Sequence, residues 1–139
     1  MEKIFLNCNF KNKKEALEKV FDIFREYNVP EDYIKSIHKR EKMSSFSIGY
    51  SIAIPHGTYE ASMLLHDSLI IILHINSPIK WDGESVQIIV GLAIREDKQI
   101  DILQNIAINA MNENFFNDML NNPTKEKLVN FTKEEEKWI

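Results

Sequence analysis

The chain has 139 residues, of which 44% are hydrophobic and 27% charged, and its formal net charge is −4 at pH 7. These values predict one domain, 1-139, with a core large enough to need no covalent staples, and they argue against a broad nucleic-acid-binding face. Cys8 is the only cysteine, which excludes a disulfide framework and fits a reducing cytoplasm, so we expect a strand or surface thiol there.

Apolar segments are short throughout the chain. No long apolar core follows the charges near the N-terminus, so we expect no signal peptide. The apolar run Leu69–Leu73 is far shorter than the roughly 20 residues that a membrane-spanning helix needs. We therefore expect a cytoplasmic protein whose link to a membrane comes only through a partner.

The first third of the chain predicts one strand and two helices. The strand, or sheet edge, is Ile4–Leu6. Apolar residues at helical spacing predict a helix from about Lys13 to Tyr27, with Asn12 as its cap. Pro30 disfavours helical backbone in the residue before it, so a second helix is expected over Glu31 to about Lys42.

Three strands and three helices are predicted after a polar step at Ser44–Ser47. The strands are expected at about Ser51–Ile54, Ser68–Ile75 and Val86–Ile94, with turns at Asn76–Pro78 and Trp81–Gly83. The helices are expected at roughly Gln99–Met111, Glu113–Asn121 and Thr124–Phe131, before a charged tail over 133–137. Residues 69–73 are apolar at consecutive positions, as in a strand that helices cover on both faces.

This succession of elements predicts an α/β fold. We expect a single-domain sandwich whose central sheet is mixed, mostly parallel and about five strands wide, with helices on both faces.

The stretch Ile54–Thr58 is the strongest local signal of function. Pro55 fixes its own φ and lacks a backbone donor, so the preceding strand must end there. Gly57 suits a tight turn or a close approach by another group. His56 is therefore held at the rigid exit of a strand, which is a good place to present a nucleophile. Taken alone, the motif is explained equally well by a turn histidine without function.

The residues around His56 form a wider pattern. Arg40, which precedes Glu41, lies sixteen residues before the histidine. Ile48-Gly49 comes next, and then Ala53–Gly57, the segment that contains His56. Together with Pro78–Gly83 and Gly91–Ile94, this pattern resembles the type-2 IIA components (fructose/mannitol class) of the bacterial phosphoenolpyruvate-dependent sugar phosphotransferase system. The resemblance covers nearly the whole chain, and its block from Arg40 to Gly57 is specific.

The resemblance implies a phosphoryl carrier. His56 would accept a phosphoryl group from phospho-HPr and pass it to a IIB domain during sugar uptake, without a cofactor. The attacking imidazole must be neutral, which its ordinary pKa of about 6.5 largely allows. Arg40 would stabilise the phosphoryl oxygens through its fork of N–H groups, although an isolated arginine at this place would suggest only a solvated helix end.

Residues near these two carry weaker expectations. Glu41 is expected to form a structural ion pair, because transfer between histidines needs no general base. Thr58 would either donate a hydrogen bond to the phosphoryl group or complete the turn. Ser44, Ser45 and Ser47 match the Ser/Thr step of the family, whereas Phe46 stands where a threonine is usual and is expected to pack against the sheet or a partner.

The other three histidines are expected to be structural or solvated. His38 and His66 are predicted on the surface, and His74, late in an apolar strand, as a satisfied core or edge residue. Their spacing matches no metal site, so we predict no bound metal.

Position 99 departs from the family. Many mannitol and fructose IIA domains carry a second histidine after the strand that corresponds to Gly91–Ile94, and Gln99 takes that place here. Its amide would donate to a phosphoryl oxygen or to the imidazole of His56, but it cannot titrate. Arg95 and Lys98 would supply replacement charge or be ordinary solvated residues, and we favour the second interpretation.

Gln99 keeps a second function open. Such a replacement resembles the IIA-like domains of transcription regulators and antiterminators, in which phosphorylation of the histidine is a signal. A third possibility, a binding domain without chemistry, is disfavoured because Arg40 and His56 are both present. We take the sugar-uptake carrier as the principal hypothesis, with HPr and a IIB domain as partners, no direct contact with nucleic acid, and a membrane link through IIC.

Overall fold

A computed structural model describes residues 1–134. Its strands are β1 (Glu2–Cys8), β2 (Ser47–Gly49), β3 (Ile52–Ala53), β4 (Leu69–Trp81) and β5 (Glu84–Ala93). Its helices are α1 (Lys13–Glu26), α2 (Glu31–Glu41), α3 (Tyr59–Ser62), α4 (Glu96–Met111), α5 (Glu113–Asn121) and α6 (Lys125–Phe131). Residues 135–137 of the predicted tail lie outside the described residues.

The five strands form one sheet in the order β1-β4-β5-β3-β2. Strand β1 is parallel to β4 and β3 is parallel to β5, whereas β4–β5 and β2–β3 are antiparallel. The predicted single-domain α/β fold, with a mixed sheet of five strands, is therefore confirmed. Parallel pairing accounts for two of the four neighbouring pairs and not for most of them, because the long β4–β5 hairpin makes the centre antiparallel.

Each face of the sheet has its own core, as the predicted sandwich requires. Side chains of β4 alternate between the two: Ile71 and Leu73 pack with α1 and α2, and Ile70 and Ile72 pack with α4, α5 and α6. The consecutive apolar residues of this strand thus bury both of its faces, as predicted.

One predicted turn is confirmed and the other is wrong. Asp82 and Gly83 connect β4 to β5 with φ values of 52° and 87°, and positive φ at both central residues is typical of a two-residue hairpin turn. At Asn76–Pro78, by contrast, β4 continues through the segment to Trp81. The pairing of β4 with β5 shifts register there, and this irregularity accommodates a proline inside a strand.

The short elements around His56 were predicted incompletely. Strand β3 covers only Ile52–Ala53, and a short strand that was not predicted, β2, begins at Ser47, the last residue of the polar step. Helix α3, a single turn, was also missed, and α4 begins at Glu96 rather than at Gln99. None of the helices in residues 1–134 combines the length and hydropathy needed to cross a bilayer.

Candidate active site

His56 lies at the carboxyl end of β3, directly beside the end of β5. The backbone of His56 forms an isolated parallel bridge with Leu92, and the Leu92 N–H donates to the Pro55 carbonyl at 3.0 Å. Because Pro55 contributes no donor, the strand ends while the chain is still attached to β5. The imidazole is therefore carried by backbone that the sheet holds in place.

Both ring nitrogens of His56 have partners, and these partners define the tautomer. Nδ1 lies 2.8 Å from the Ile54 carbonyl oxygen, and Nε2 lies 3.2 Å from Nε of Arg40. A carbonyl can only accept and a guanidinium N–H can only donate, so Nδ1 carries the proton and Nε2 presents its lone pair. The arrangement is that of a neutral imidazole with Nε2 as the nucleophilic atom.

The surroundings favour this neutral form. Burial lowers the pKa of His56 below its ordinary value, and the positive charge of Arg40 lowers it further, while the Ile54 carbonyl and the Glu96 carboxylate act in the opposite direction. Desolvation disfavours the charged imidazolium, as does a like charge nearby. The neutral form of His56 is therefore favoured at neutral pH.

Two side chains from different elements enclose the imidazole. Arg40, half-buried in the last turn of α2, approaches Nε2 from one side. The Phe46 ring is 3% exposed, and its centroid lies 5.5 Å from that of His56 with the two planes tilted by 57°. Phe46 thus packs in the core and against the His56 ring, and it covers part of that ring from solvent.

Helix α2 also reaches the backbone after His56, which sequence reasoning did not predict. The Tyr33 hydroxyl accepts from the Gly57 N–H at 2.9 Å, and Ser36 Oγ accepts from the Thr58 N–H at 3.1 Å. The spacing of Tyr33, Ser36 and Arg40 would place all three on one face of a helix, and that signal was available in the sequence.

The side chain of Gln99 bonds to the backbone just before α4, the helix to which it belongs. Its side chain is 3% exposed, and its amide nitrogen donates to the Ile94 carbonyl at 2.8 Å. Among residues 1–134, no described hydrogen bond joins Gln99 to His56. The acidic residue whose charge reaches the imidazole from this part of the chain is Glu96, the first residue of α4.

The remaining neighbours have structural partners. The Thr58 hydroxyl caps α3 by accepting from the Ala61 N–H at 3.3 Å, so it completes the turn. Glu41 forms the expected ion pair, with Lys13, at 2.9 Å. Ser45 donates to Asp82 at 2.6 Å.

None of the other charged and titratable candidates is a described hydrogen-bond partner of the His56 imidazole. Arg95 and Lys98 are exposed, as predicted for solvated residues. His38 and His66 are exposed as predicted, and His74 is buried with Nε2 2.9 Å from the Leu120 carbonyl oxygen. Within residues 1–134, no group of three or more His, Cys, Asp and Glu side chains converges as metal ligands would.

Comparison with known proteins identifies the family of the chain and agrees with its fold. Residues 1–135 match the family model described as "Phosphoenolpyruvate-dependent sugar phosphotransferase system, EIIA 2". A mannitol-specific phosphotransferase enzyme IIA component of Staphylococcus aureus (strain Mu50) is 37% identical over 108 residues, which cover 77% of this chain and 75% of the relative.

Two solved structures share the fold. The IIA–phosphorylated IIB mannitol complex from Escherichia coli matches with a TM-score of 0.79 and 18% identity, over 95% of this chain and 98% of the matched chain. The nitrogen regulatory protein IIA-Ntr from Neisseria meningitidis matches with a TM-score of 0.73 and 20% identity, over 94% and 92%. Since the family model covers nearly the whole chain, the protein belongs to the EIIA 2 family of the phosphoenolpyruvate-dependent sugar phosphotransferase system.

Proposed function

We propose that this protein carries a phosphoryl group on Nε2 of His56, accepting it from phospho-HPr and passing it to a IIB domain during sugar uptake. The observation that carries the proposal is the contact between the Nε2 lone pair and Arg40 Nε, at 3.2 Å. A nucleophile and a fixed cation thus lie together in a partly buried site, as phosphoryl transfer requires.

The transfer step follows from this geometry. The Nε2 lone pair attacks the phosphorus in line, the new N–P bond forms, and the bond to the HPr histidine breaks with its electron pair returning to that imidazole. The proton on Nδ1 stays in place, held by the Ile54 carbonyl. No base is needed, because the attacking nitrogen carries no proton.

The guanidinium of Arg40 makes different hydrogen bonds before and during the attack. In the resting protein its Nε–H donates to Nε2 and orients the ring. When the phosphoryl group arrives, the guanidinium donors are free to turn to the equatorial oxygens, whose charge they stabilise at close range. Because this cation comes from the chain itself, the step is assigned no metal and no cofactor.

The partners are proposed from the family. The Escherichia coli relative was solved in a complex of IIA with phosphorylated IIB, which supports a IIB domain as the acceptor for this chain too. HPr as the donor rests on membership of the phosphotransferase system. We propose a cytoplasmic protein that has no direct contact with nucleic acid and is linked to the membrane only through IIC.

A regulatory role for the same phosphorylated His56 is the second candidate. It is favoured by Gln99, because a buried amide that is already bonded to Ile94 offers no titratable partner to the imidazole. Onward transfer separates the two candidates: phosphorylated carrier should lose its label to a IIB domain, whereas a signalling domain should retain it.

The phosphorylation site can be tested directly. With phosphoenolpyruvate, enzyme I and HPr, the wild-type protein should acquire one acid-labile, base-stable phosphoryl group, and His56→Ala should acquire none. His66→Ala is the matched control, because it removes an exposed imidazole and should be labelled like the wild type. Label that persists in His56→Ala would contradict the assignment.

A further inference from the structure

The backbone on both sides of His56 is tied to one residue of β5, Leu92. Before the histidine the tie is direct, from the Leu92 N–H to the Pro55 carbonyl at 3.0 Å. In a regular parallel ladder the next bond would run from the Gly57 N–H to the Leu92 carbonyl. Instead, the Tyr33 hydroxyl lies between these two groups, accepting from the Gly57 N–H at 2.9 Å and donating to the Leu92 carbonyl at 2.6 Å.

A side chain of α2 therefore completes the ladder beside the acceptor histidine. Tyr33 is fully buried, where a backbone donor or acceptor without a partner would be costly, and its hydroxyl bonds to one of each. Burial raises the pKa of Tyr33 to about 12, which keeps the hydroxyl protonated and able to donate.

A second bridge from α2 fixes the next residue. Ser36 Oγ accepts from the Thr58 N–H at 3.1 Å while donating to the Tyr33 carbonyl at 2.6 Å. The helix and the loop approach so closely that a Cβ at Gly57 would overlap Ser36 Oγ and the Tyr33 ring. Any larger residue at position 57 would therefore clash with α2 unless these side chains moved.

The same helix carries Arg40, whose Nε lies 3.2 Å from His56 Nε2. We propose that Tyr33 and Ser36 are positioning residues for phosphoryl transfer: by joining α2 to the backbone after His56, they fix the guanidinium against the nucleophilic nitrogen. This assignment rests on the proposed function, and neither hydroxyl touches the reacting atoms. Transfer is sensitive to such placement, because displacements of about 1 Å by remote changes can slow a reaction by as much as 100-fold.

Tyr33→Phe tests the bridge by removing one hydroxyl and keeping the ring. The first readout is the pKa of His56 in the unphosphorylated protein, measured by NMR titration of the imidazole protons. Burial and Arg40 hold this pKa low, so loosening the bridge should raise it towards its ordinary value. Tyr27→Phe, which removes a phenolic hydroxyl at the end of α1, is the matched control and should leave the His56 titration unchanged.

The second readout is a double-mutant cycle on the rate of phosphorylation by phospho-HPr. If Tyr33 acts by placing Arg40, Tyr33→Phe should slow the reaction about tenfold in the wild type and less than about twofold in Arg40→Ala, because the residue it positions is then absent. A hydroxyl that only stabilises the fold would slow both backgrounds by the same factor, and that result would overturn the proposal.

The outcomes separate the positioning role from the proposed function. If the wild type accepts no label, the proposed function fails, while the His56 titrations of wild type, Tyr33→Phe and Arg40→Ala still decide whether Tyr33 acts through Arg40. An unchanged His56 pKa in a folded Tyr33→Phe protein would refute the bridge. If circular dichroism shows that Tyr33→Phe does not fold, Ser36→Ala replaces it, because this change removes only one bridge. The His56 titration and the double-mutant cycle with Arg40→Ala are then repeated, and the same results support or overturn the proposal.

Discussion

At the scale of the residue, the chemistry depends on the partners of one imidazole. The Ile54 carbonyl holds the proton on Nδ1 and Arg40 meets the lone pair on Nε2, so neither nitrogen of His56 is free to exchange roles. In the proposed transfer, these two contacts orient Nε2 of His56 for attack.

Arg40→Ala should slow phosphorylation of His56 on the order of 100-fold, the effect of losing one preorganised donor, with little change in the fold. Arg40→Lys should restore only part of the rate, because an ammonium group offers a point charge in place of a planar fork. Both rates can be measured by rapid-quench labelling from phospho-HPr.

Arg25→Ala is the control for removing an arginine, since this exposed residue of α1 pairs only with Asp22 and Glu31 among the described residues. It should be labelled at the wild-type rate. A rate of Arg40→Ala within about twofold of wild type would show that the guanidinium does not stabilise the transferred charge.

A local motif in the sequence predicted His56 and Arg40 as a pair, and the structure places Arg40 Nε 3.2 Å from His56 Nε2. Tyr33 and Ser36 were missed because a buried tyrosine is usually core, and the partners of its hydroxyl lie 24 and 59 residues away. The position of Gln99 in the family pattern suggested proximity to His56, whereas its amide is committed to Ile94. Helical spacing puts Tyr33, Ser36 and Arg40 on one face, but the distant groups that they bond are set by tertiary packing and leave no signal in the sequence.

At the scale of the element, predictions succeeded where a pattern was long enough to repeat. Helices α1 and α2 showed several turns of apolar periodicity and were located within about one residue. Strand β2 and helix α3, with three and four residues, were missed because they are too short for any period to be detected. Pro78 suggested a turn because proline is rare inside strands. The register shift against β5 that accommodates it depends on a neighbouring strand and cannot be read from the local sequence.

A network of ion pairs and hydrogen bonds joins α1, α2 and the β4–β5 turn at the C-terminal end of α2, next to Arg40. Lys13, the first residue of α1, lies 2.9 Å from Glu41 of α2 and 2.7 Å from Asp82 of the β4–β5 turn. Ser45, in the segment before Phe46, also donates to Asp82. The network therefore connects the hairpin turn to both segments that enclose the imidazole.

Asp82→Asn should lower the free energy of unfolding by about 1 kcal/mol at pH 7 and low salt, the upper range for exposed ion pairs. Asparagine tolerates the positive φ at this position, so the change removes the charge without straining the turn. Lys13 holds the pKa of Asp82 below its usual value, so the stabilisation is present above the unfolded pKa and is lost as pH falls through the folded one.

Urea unfolding at low and high salt, and at neutral and acidic pH, measures this effect. Asp67→Asn, at an exposed position in the loop before β4, is the matched control and should change stability less. An Asp82→Asn protein as stable as the wild type at low salt would mean that the three elements are held by their apolar contacts alone.

At the scale of the whole molecule, the sheet arranges these pieces into one site. Strand β1 pairs with β4, whose sequence lies more than 60 residues further along, and β3 joins the far side of the β4–β5 hairpin. Alternating helices and strands predicted the layers correctly, but they carry no information about which strands become neighbours. The antiparallel centre of the sheet was therefore not predicted, and only the turn at Asp82-Gly83 indicated it.

The pH dependence of the free energy of unfolding should reflect the environment of His56. Burial, and then Arg40, hold the pKa of this imidazole below the value of about 6.5 that it has in the unfolded chain. Below pH 6.5 the unfolded state consequently binds more protons than the folded state, so protonation favours unfolding. The contribution of His56 to stability is complete above the unfolded pKa and is lost as pH falls through the lower, folded pKa.

His56→Gln should remove this dependence. We expect the free energy of unfolding of the wild type to fall more steeply than that of His56→Gln between about pH 6.5 and pH 5, in denaturant titrations at several pH values. His66→Gln, which removes an exposed imidazole, should change the slope less. Parallel curves for wild type and His56→Gln would mean that the folded protein accepts a proton on His56 as readily as the unfolded chain does. The neutral, Arg40-facing nucleophile on which the proposed transfer depends would then not be the form that the fold stabilises.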